Sequence, residues 1–253
     1  MSRTPHVREL RERGWVRLSV PCLTAERIDA CYAEWRRFFC QGPKEKFLPT
    51  GGGLDGYFPK DAETAKGFDC PDPKEFFHFY RDGQCPDHCY GPSASVFQCL
   101  AEAAVNVFEE LAREFPILRN FSTGLINSRR LVMRIAYYEG NGNALYFAAP
   151  HEDINFLTLI PKATRPGLEV LGNDGLWEPL QCSNQQCLVL VGDMLAEALQ
   201  GGIPAKQHRV IASPANRLAL SFFLNPDDDV ILSPRWTAGQ FLMQRLREIG
   251  IHA

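Results

Sequence analysis

The segment between Arg129 and Pro226 constrains the fold most, because short apolar or alternating runs there are separated by turn-forming residues. Alternation of apolar and polar positions over short runs is typical of β-strands. Eight such strands in about a hundred residues favour a jelly-roll, in which two sheets enclose an apolar interior. The predicted strands are Arg130–Tyr138, Leu145–Ala148, Asn155–Ile160, Leu168–Leu171, Trp177–Leu180, Cys187–Val191, Arg209–Ala212 and Arg217–Leu224.

Helical patterns dominate the residues before this block. Leu10–Val20 starts as a short helix and turns into a strand-like alternation. Thr24 is a suitable N-cap for a following helix, and a second apolar stripe begins after Pro92 and runs to about Glu114. The first of these helices has an apolar face that carries Ile28, Cys31, Tyr32, Trp35 and Phe39.

Two further segments complete the outline. Gln41–Gly91 is rich in Gly, Pro, Asp and Lys and lacks a sustained period, so it is predicted to be a long, ordered surface excursion. Thr237 and Gln240 form a capping box, which predicts a final helix that ends at about Ile249. The predicted architecture is a single, mainly β domain whose jelly-roll core has N-terminal supporting helices and a C-terminal helix. Its parts are a helical and loop-rich region (1–128), the core (129–226) and a tail with the helix (227–253).

Composition excludes several classes of protein. Of the 253 residues, 45% are hydrophobic and 23% are charged, which is typical of a globular chain with a sizeable core. The formal net charge of −3 and the absence of basic runs argue against nucleic-acid binding. No stretch is long and apolar enough to cross a membrane, and the N-terminus is polar, so the sequence predicts a cytoplasmic protein without a membrane partner.

The nine cysteines are scattered and odd in number, which favours free thiols over a disulfide framework. Cys85, His88 and Cys89 suggest zinc, but no second close pair of ligands follows them. The sequence therefore predicts no structural zinc site.

Two histidines and an aspartate carry the chemistry. His151 and Asp153 open one predicted strand two residues apart, so they share a face, and His208 opens a later strand. Strand ends meet at the mouth of a jelly-roll, where these three side chains can converge. Two imidazoles and one carboxylate on one face of a metal leave open positions, which is the ligand set of non-haem Fe(II) oxygenases.

The chain resembles the iron- and 2-oxoglutarate-dependent oxygenases of the isopenicillin N synthase-like group over nearly its whole length. Each matching piece is modest, but their order and spacing are specific. The pieces are Gly14-Trp15-Val16, Gly56-Tyr57-Phe58-Pro59, Asp72-Pro73-Lys74-Glu75-Phe76-Phe77, Arg134 to Tyr138, HEDINFLTLI from His151, GLEVLGNDGLWEPL from Gly167, Gly192-Asp193-Met194, His208-Arg209-Val210 and Arg217 to Pro226.

This resemblance implies specific roles. The two histidines and Asp153 would bind Fe(II), and Arg217 would grip the distal carboxylate of 2-oxoglutarate. Tyr138 would touch the same cosubstrate, and O2 would be the second cosubstrate. The chain departs from the family pattern at Ala219, where a serine is usual, and at Ala136, where an asparagine is usual. Ser221 shares the strand face of Arg217 but lies about 6.6 Å beyond Ala219.

Four more residues are candidates for the pocket. Arg134 is expected either to pair with an acid or to bind a substrate carboxylate. Phe147 and Asn155 flank the predicted ligands and would line a substrate pocket. His78 lies in an aromatic run and is expected to pack or cap rather than bind metal.

Three functions follow from these residues. The first is an Fe(II)- and 2-oxoglutarate-dependent dioxygenase that oxidises a C–H bond of a small molecule, by hydroxylation or by desaturation or cyclisation. Asp153 argues against a halogenase, which needs that ligand position free. The second is an Fe(II) oxidase without 2-oxoglutarate, in which Arg217 holds a substrate carboxylate, and Ala219 favours it. The third is a non-catalytic jelly-roll binding protein. No obligate protein partner is evident.

Overall fold

The computed structural model describes residues 5–51, 53–122, 125, 129–140 and 144–248. Helices flank the sheets at both ends of the chain, and a short 3-10 turn at Lys44–Phe47 and another at Pro116–Leu118 lie among them. The α-helices are α1 (Pro5–Arg13), α2 (Ala25–Gln41), α3 (Asp87–Glu114), α4 (Arg119–Ser122), α5 (Asp193–Ala198) and α6 (Ala238–Glu248).

Strands make up most of the second half of the chain, as the alternating pattern predicts. The strands are β1 (Trp15–Ser19), β2 (Gly56–Phe58), β3 (Lys74–Phe79), β4 (Val132–Tyr138), β5 (Tyr146–His151), β6 (Leu157–Pro161), β7 (Leu168–Leu171), β8 (Trp177–Pro179), β9 (Gln186–Val191), β10 (His208–Ile211), β11 (Arg217–Leu224), β12 (Ile231–Ser233) and β13 (Trp236–Thr237). All eight strands predicted between Arg129 and Pro226 are present, with ends that differ by a few residues.

Two antiparallel sheets form the core. The larger has the strand order β1-β9-β6-β11-β4-β3-β2, and the smaller has the order β5-β10-β7-β8. An apolar cluster joins their inner faces, with Leu190 and Ala219 from the larger sheet and Phe147 and Val170 from the smaller. This arrangement of facing antiparallel sheets confirms the predicted jelly-roll.

The alternation along β11 shows why the larger sheet has two different faces. Leu218, Leu220 and Phe222 point outward into the cluster shared with the helices, and the ring of Phe222 lies 5.1 Å from that of Phe97 on α3. Arg217 and Ala219 occupy the alternate positions, which face the jelly-roll interior. The same strand therefore supports the helical layer with one face and the interior with the other.

Two predictions for the N-terminal part are wrong. Gln41–Gly91 is not only a surface excursion, because β2 and β3 within it join the larger sheet and all six residues of β3 are buried. The long helix begins at Asp87 rather than after Pro92, which lies inside α3. Strands β1, β2 and β3 therefore extend the sheet beyond the predicted core of 129–226.

Several local predictions are confirmed. Thr24 caps α2 by accepting a hydrogen bond from the backbone of Arg27 at 3.4 Å. The capping box is reciprocal, because Gln240 N donates to Thr237 Oγ1 and Thr237 N donates to the Gln240 side chain. The predicted helix end at Ile249 lies outside the described residues.

Two other predictions concern the cysteines, which were expected to be free thiols, and the absence of a segment that could cross a membrane. The nine cysteines are free thiols in the structure. Across the described ranges, none of the helices combines the length and the apolar character that crossing a membrane requires. The cytoplasmic location stays a prediction.

Candidate functional site

Three predicted side chains meet where β5 ends and β10 begins. His151 is the last residue of β5 and His208 is the first of β10, and antiparallel pairing puts the two directly opposite each other. Asp153 lies in the loop after β5 rather than on a strand. The prediction that His151 and Asp153 share a strand face is therefore wrong, and the bend of the chain after β5 brings the carboxylate to the imidazoles.

The distances among these side chains are short. His151 Nε2 lies 3.8 Å from Asp153 Oδ1, and His208 Nε2 lies 3.5 Å from Asp153 Oδ2. One ligand atom from each residue lies within 4.8 Å of the other two. Within the described part of the chain, this is the one group of three such side chains close enough to hold a metal ion.

Backbone contacts orient both imidazoles toward the common centre. His151 Nδ1 lies 2.7 Å from the carbonyl oxygen of Ala149, and His208 Nδ1 lies 3.1 Å from that of Lys206. Because a carbonyl only accepts, each Nδ1 carries the proton and each Nε2 keeps a lone pair. Burial and the neighbouring His208 lower the pKa of His151 to about 4, so its imidazole is neutral at neutral pH.

A hydrogen-bonded relay orients the carboxylate. The Thr158 hydroxyl donates to Asp153 Oδ2 at 2.5 Å, and Asn155 Nδ2 donates to Thr158 Oγ1 at 2.9 Å. Burial raises the pKa of Asp153, but His208, His151 and the Thr158 hydroxyl outweigh burial, so the pKa lies below its usual value. Asp153 is therefore held as an anion in a fixed orientation.

These donors fit a ferrous ion. Two neutral imidazoles and one carboxylate on one side of a metal are the facial ligand set of non-haem Fe(II) sites, and they leave coordination positions for other ligands. The backbone carbonyls behind both histidines supply the outer hydrogen bonds that such ligands require.

Arg217 provides a separate anchor inside the jelly-roll. Its side chain is 2% exposed and its Nε donates to the carbonyl of Arg165 at 3.1 Å. Its Nη1 is buried and has no hydrogen-bond partner among the described residues. A buried guanidinium nitrogen without a partner is costly, so this position is suited to a carboxylate ligand. Arg217 lines a cavity of about 170 Å³ that also touches Ile160, Thr164 and Leu180.

Of the other two predicted cosubstrate residues, Tyr138 lies beside Arg217 and Ser221 does not. The guanidinium of Arg217 lies 5.2 Å from the centre of the Tyr138 ring, and the ring of Phe147 stacks on that of Tyr138 at 5.2 Å. Phe147 is fully buried in the interior cluster and does not line the cavity beside the histidines. Ala219 lies opposite Ala136, so the two departures from the family pattern are neighbours. Ser221 lies opposite Arg134, at the far end of this face from Arg217.

A cavity of about 250 Å³ is lined by two of the three converging side chains, His151 and Asp153. Arg134 and Asn155 line it, as predicted. The guanidinium of Arg134 donates to both carboxylate oxygens of Glu63, at 2.6 and 2.9 Å, and its Nε donates to His78 Nε2 at 2.9 Å. Of the two roles predicted for Arg134, the structure therefore shows the acid pair. His78 Nδ1 donates a hydrogen bond to the carbonyl of Leu54 at 2.8 Å, which agrees with the prediction that His78 packs or caps rather than binds metal.

Sequence reasoning missed three buried charges beside this cavity. Lys74 Nζ lies 2.6 Å from Asp72 and 3.1 Å from Glu63, and all three side chains are almost inaccessible. It also missed Thr158, although a polar residue inside the apolar run from Phe156 to Ile160 is a visible signal. The partners of Lys74 are not visible in sequence, because they depend on how the loop before β3 folds back.

Comparison with known proteins matches residues 130–226 to the 2OG-Fe(II) oxygenase superfamily. Gibberellin 2-beta-dioxygenase 7 of Arabidopsis thaliana is 29% identical over 133 residues, which cover 51% of this chain and 39% of that protein. Gibberellin 20 oxidase 3 of Oryza sativa subsp. japonica is 29% identical over 241 residues, which cover 85% of this chain and 64% of that protein. The chain thus spans less than two thirds of the length of these relatives.

A solved structure resembles the whole chain. A protein from Shewanella oneidensis that is described as an oxygenase has a TM-score of 0.82 and 32% sequence identity, over 96% of this chain and 93% of its own. The matched family segment contains both sheets' central strands and the three converging side chains. The resemblance predicted from sequence is therefore confirmed, and residues 130–226 of the chain form a 2OG-Fe(II) oxygenase superfamily domain.

Proposed function

We propose that the protein is an Fe(II)- and 2-oxoglutarate-dependent dioxygenase that oxidises a C–H bond of a small-molecule substrate. The observation that carries this proposal is the convergence of His151, Asp153 and His208 within 4.8 Å, in a member of this enzymatic family. The unpartnered Nη1 of buried Arg217 supports the use of a dicarboxylate cosubstrate.

In this proposal His151, Asp153 and His208 hold Fe(II) and are the catalytic metal ligands. Bound Fe(II) supplies the redox chemistry that activates O2. The two imidazoles offer Nε2 because the carbonyls of Ala149 and Lys206 keep the proton on Nδ1. The Thr158 hydroxyl keeps Asp153 turned toward them. The protein thus fixes the three donors before the ion binds, which limits the cost of ordering them.

Arg217 would bind the distal carboxylate of 2-oxoglutarate through its free guanidinium edge. Tyr138 would pack against the cosubstrate from the neighbouring strand. Ser221 would act only from a distance, since it lies four residues from Arg217 on β11. The apolar surroundings strengthen an arginine–carboxylate pair because water cannot compete there.

Arg134 and Asn155 line the proposed substrate cavity, whereas Phe147 stacks on Tyr138 in the interior cluster and does not line it. Hydroxylation is the default outcome, and desaturation or cyclisation depends on how the substrate lies in that cavity. Halogenation is disfavoured because Asp153 occupies the position that a halide would need.

Succinate release tests this proposal. We expect the purified protein with Fe(II), 2-oxoglutarate and O2 to form succinate slowly, and we expect His151→Ala and His208→Ala to form none while retaining the same circular dichroism spectrum. The matched control is His6→Ala, which lies on α1 and contacts Glu110. Succinate formation at an equal rate in all four proteins would contradict the assignment of the metal ligands.

A second candidate is favoured by one observation. Ala219 and Ala136 face each other where the family usually supplies a hydroxyl and an amide, so fewer polar groups are available for 2-oxoglutarate. An Fe(II) oxidase that takes all its electrons from the substrate, with Arg217 on a substrate carboxylate, fits this feature. Substrate oxidation without succinate would favour this candidate. Fe(II) binding with neither reaction would favour a non-catalytic binding protein.

A further inference from the structure

The cavity beside the converging histidines has an unusual inner wall, which consists of buried charges. Glu63, Asp72 and Lys74 are each less than a tenth exposed, and Arg134 is largely buried. Charges are rarely buried unless they are paired, so the way in which they pair determines what this wall offers a ligand.

The inner charges compensate each other completely. Glu63 accepts two hydrogen bonds from Arg134 and also lies 3.1 Å from Lys74 Nζ. Asp72 lies 2.6 Å from the same ammonium and accepts a further hydrogen bond from the backbone of Ala149 at 2.9 Å. Two cations face two carboxylates, so this inner wall has no net charge.

His78 adds no charge to this wall. Its Nδ1 donates to the carbonyl of Leu54, and its Nε2 accepts from Arg134. Both nitrogens are used in the neutral form, and a second proton on the ring would face the guanidinium. Burial and the charge of Arg134 lower the pKa of His78 to about 3, in agreement with this geometry.

The basic side chains in the outer part of the cavity are also paired with carboxylates. Arg130 pairs with Asp228 on one side of the mouth. Arg245 of α6 pairs with Asp193 at 2.5 Å, and Lys66 pairs with Glu248 at 2.8 Å. Each of these bases that line the cavity already has a carboxylate partner from the protein.

The rest of the lining is largely apolar. Side chains from several elements provide this surface, and they include Val132, Ile154, Met194, Phe223, Leu242 and Leu246. A carboxylate on a substrate would either displace an internal partner or be buried without one, and both are unfavourable. Burying a neutral group in this cavity costs much less free energy than burying a carboxylate.

We propose that this cavity accepts a largely apolar substrate without a carboxylate, and that Glu63 determines this specificity by occupying the guanidinium of Arg134. The inference rests on the proposed function, because it takes the cavity beside the metal ligands as the substrate site. The substrate would still make hydrogen bonds, since Arg134 retains N–H groups that Glu63 and His78 do not use. A substrate carboxylate, by contrast, finds no uncompensated cation on this wall.

The test uses a pair of probes with nearly the same shape and different charge, phenylacetamide and phenylacetate. Their affinities are measured anaerobically by ligand-detected NMR on the full chain loaded with Fe(II) and 2-oxoglutarate. Paramagnetic broadening of the probe signals confirms that each probe binds near the metal. We expect the wild-type protein to bind phenylacetamide at least tenfold more tightly than phenylacetate.

Glu63→Gln keeps the shape of the side chain but leaves Arg134 and Lys74 with one uncompensated positive charge. We expect this variant to shift the preference toward phenylacetate by at least tenfold. Glu169→Gln is the matched control, because Glu169 also pairs with an arginine, Arg209 at 2.7 Å, but does not line the cavity. Its preference should equal that of the wild type.

The double variant Glu63→Gln/Arg134→Gln guards against a trivial effect of a damaged wall, and it should return the preference toward the amide. Tighter binding of phenylacetate by the wild type, no shift in Glu63→Gln, or binding of neither probe would overturn the proposal. The visible charge-transfer absorption of the Fe(II)–2-oxoglutarate complex is recorded on the same samples. Its absence beside a retained amide preference would count against the proposed function alone.

Discussion

Thr158 is a buried residue whose hydroxyl orients one of the proposed metal ligands, Asp153. Its hydrogen bond to Asp153 is the shortest contact in the relay that begins at Asn155. We expect Thr158→Val to weaken Fe(II) binding about 10- to 100-fold, because Asp153 loses the donor that orients it. Thr158→Ser keeps the hydroxyl and should bind Fe(II) within about threefold of the wild type. Equal affinities for the valine and serine variants, measured by anaerobic metal titration, would refute this role.

Arg217 is the residue on which the cosubstrate proposal depends most. We expect Arg217→Ala to weaken 2-oxoglutarate binding by about 2–4 kcal/mol, the cost of removing one partner of a buried charged pair. The binding constant is measured by titrating 2-oxoglutarate into the Fe(II)-loaded protein. Arg209→Ala is the control, because Arg209 pairs with Glu169 on a neighbouring strand. An unchanged constant in Arg217→Ala would favour the oxidase.

At the scale of elements, the junction between β9 and α5 lies in close contact with the segment that carries the proposed metal ligands His151 and Asp153. A Cβ built on Gly192 would lie 2.3 Å from both the carbonyl and the side-chain oxygen of Asn155. We therefore expect Gly192→Ala to destabilise the protein by about 1–3 kcal/mol and to weaken metal binding through Asn155. The measurements are urea unfolding and metal titration.

Gly91 provides the matched control for this prediction. It lies inside α3, and beyond its chain neighbours and the backbone of the helix itself a Cβ at this position would meet no atom within 4 Å. Alanine loses less freedom in a helix than glycine does, but its Cβ is unfavourable in a helical residue before proline, and Pro92 follows directly. Gly91→Ala should therefore change the unfolding free energy by less than about 1 kcal/mol and leave metal binding unchanged. Equal effects at both glycines would show that close packing at Gly192 does not matter.

The elements differ in how well their sequences predict them. Strand β11 is recognisable because every second residue from Leu218 to Leu224 is large and apolar and shares one face of the strand. Strand β3 was missed because Lys74, Glu75 and His78 are charged or polar, although all are buried. Partners from other segments stabilise this burial: Glu63 pairs with Lys74 and Arg134 donates to His78. Glu75 is paired with Lys44 and accepts a hydrogen bond from Tyr57.

The proposed metal ligands show the same limit of sequence-based prediction, because their orientation depends on tertiary contacts. Their residue types and their positions near strand ends were enough to predict that His151, Asp153 and His208 converge. The geometry was not predictable, because Asp153 reaches the histidines through a loop whose path depends on Thr158 and Gly192. Local pattern therefore identifies donors, whereas tertiary contacts orient them.

At the scale of the whole molecule, His78 links stability to pH. Its folded pKa of about 3 lies below the unfolded value of about 6.5, so only the unfolded chain binds a proton in between. Stability is therefore fully present above about pH 6.5 and falls as the pH is lowered toward 3. Between pH 7 and 5, His78 should account for about 2 kcal/mol of lost unfolding free energy.

Urea unfolding of the metal-free protein at pH 7 and pH 5 measures this contribution, with His78→Gln as the comparison. Glutamine can still donate to Leu54 and accept from Arg134, but it does not titrate. The variant should lose less stability on acidification than the wild type. An identical loss in both proteins would mean that His78 is not buried in its neutral form.

The central claim is that this jelly-roll binds Fe(II) and 2-oxoglutarate together, and anaerobic absorption spectroscopy tests it most directly. Addition of 2-oxoglutarate to the Fe(II)-loaded protein should produce a visible metal-to-ligand charge-transfer band, which saturates with one cosubstrate per chain. The band should be absent in His151→Ala and His208→Ala. A wild-type protein that binds Fe(II) but shows no band at saturating 2-oxoglutarate would contradict the claim.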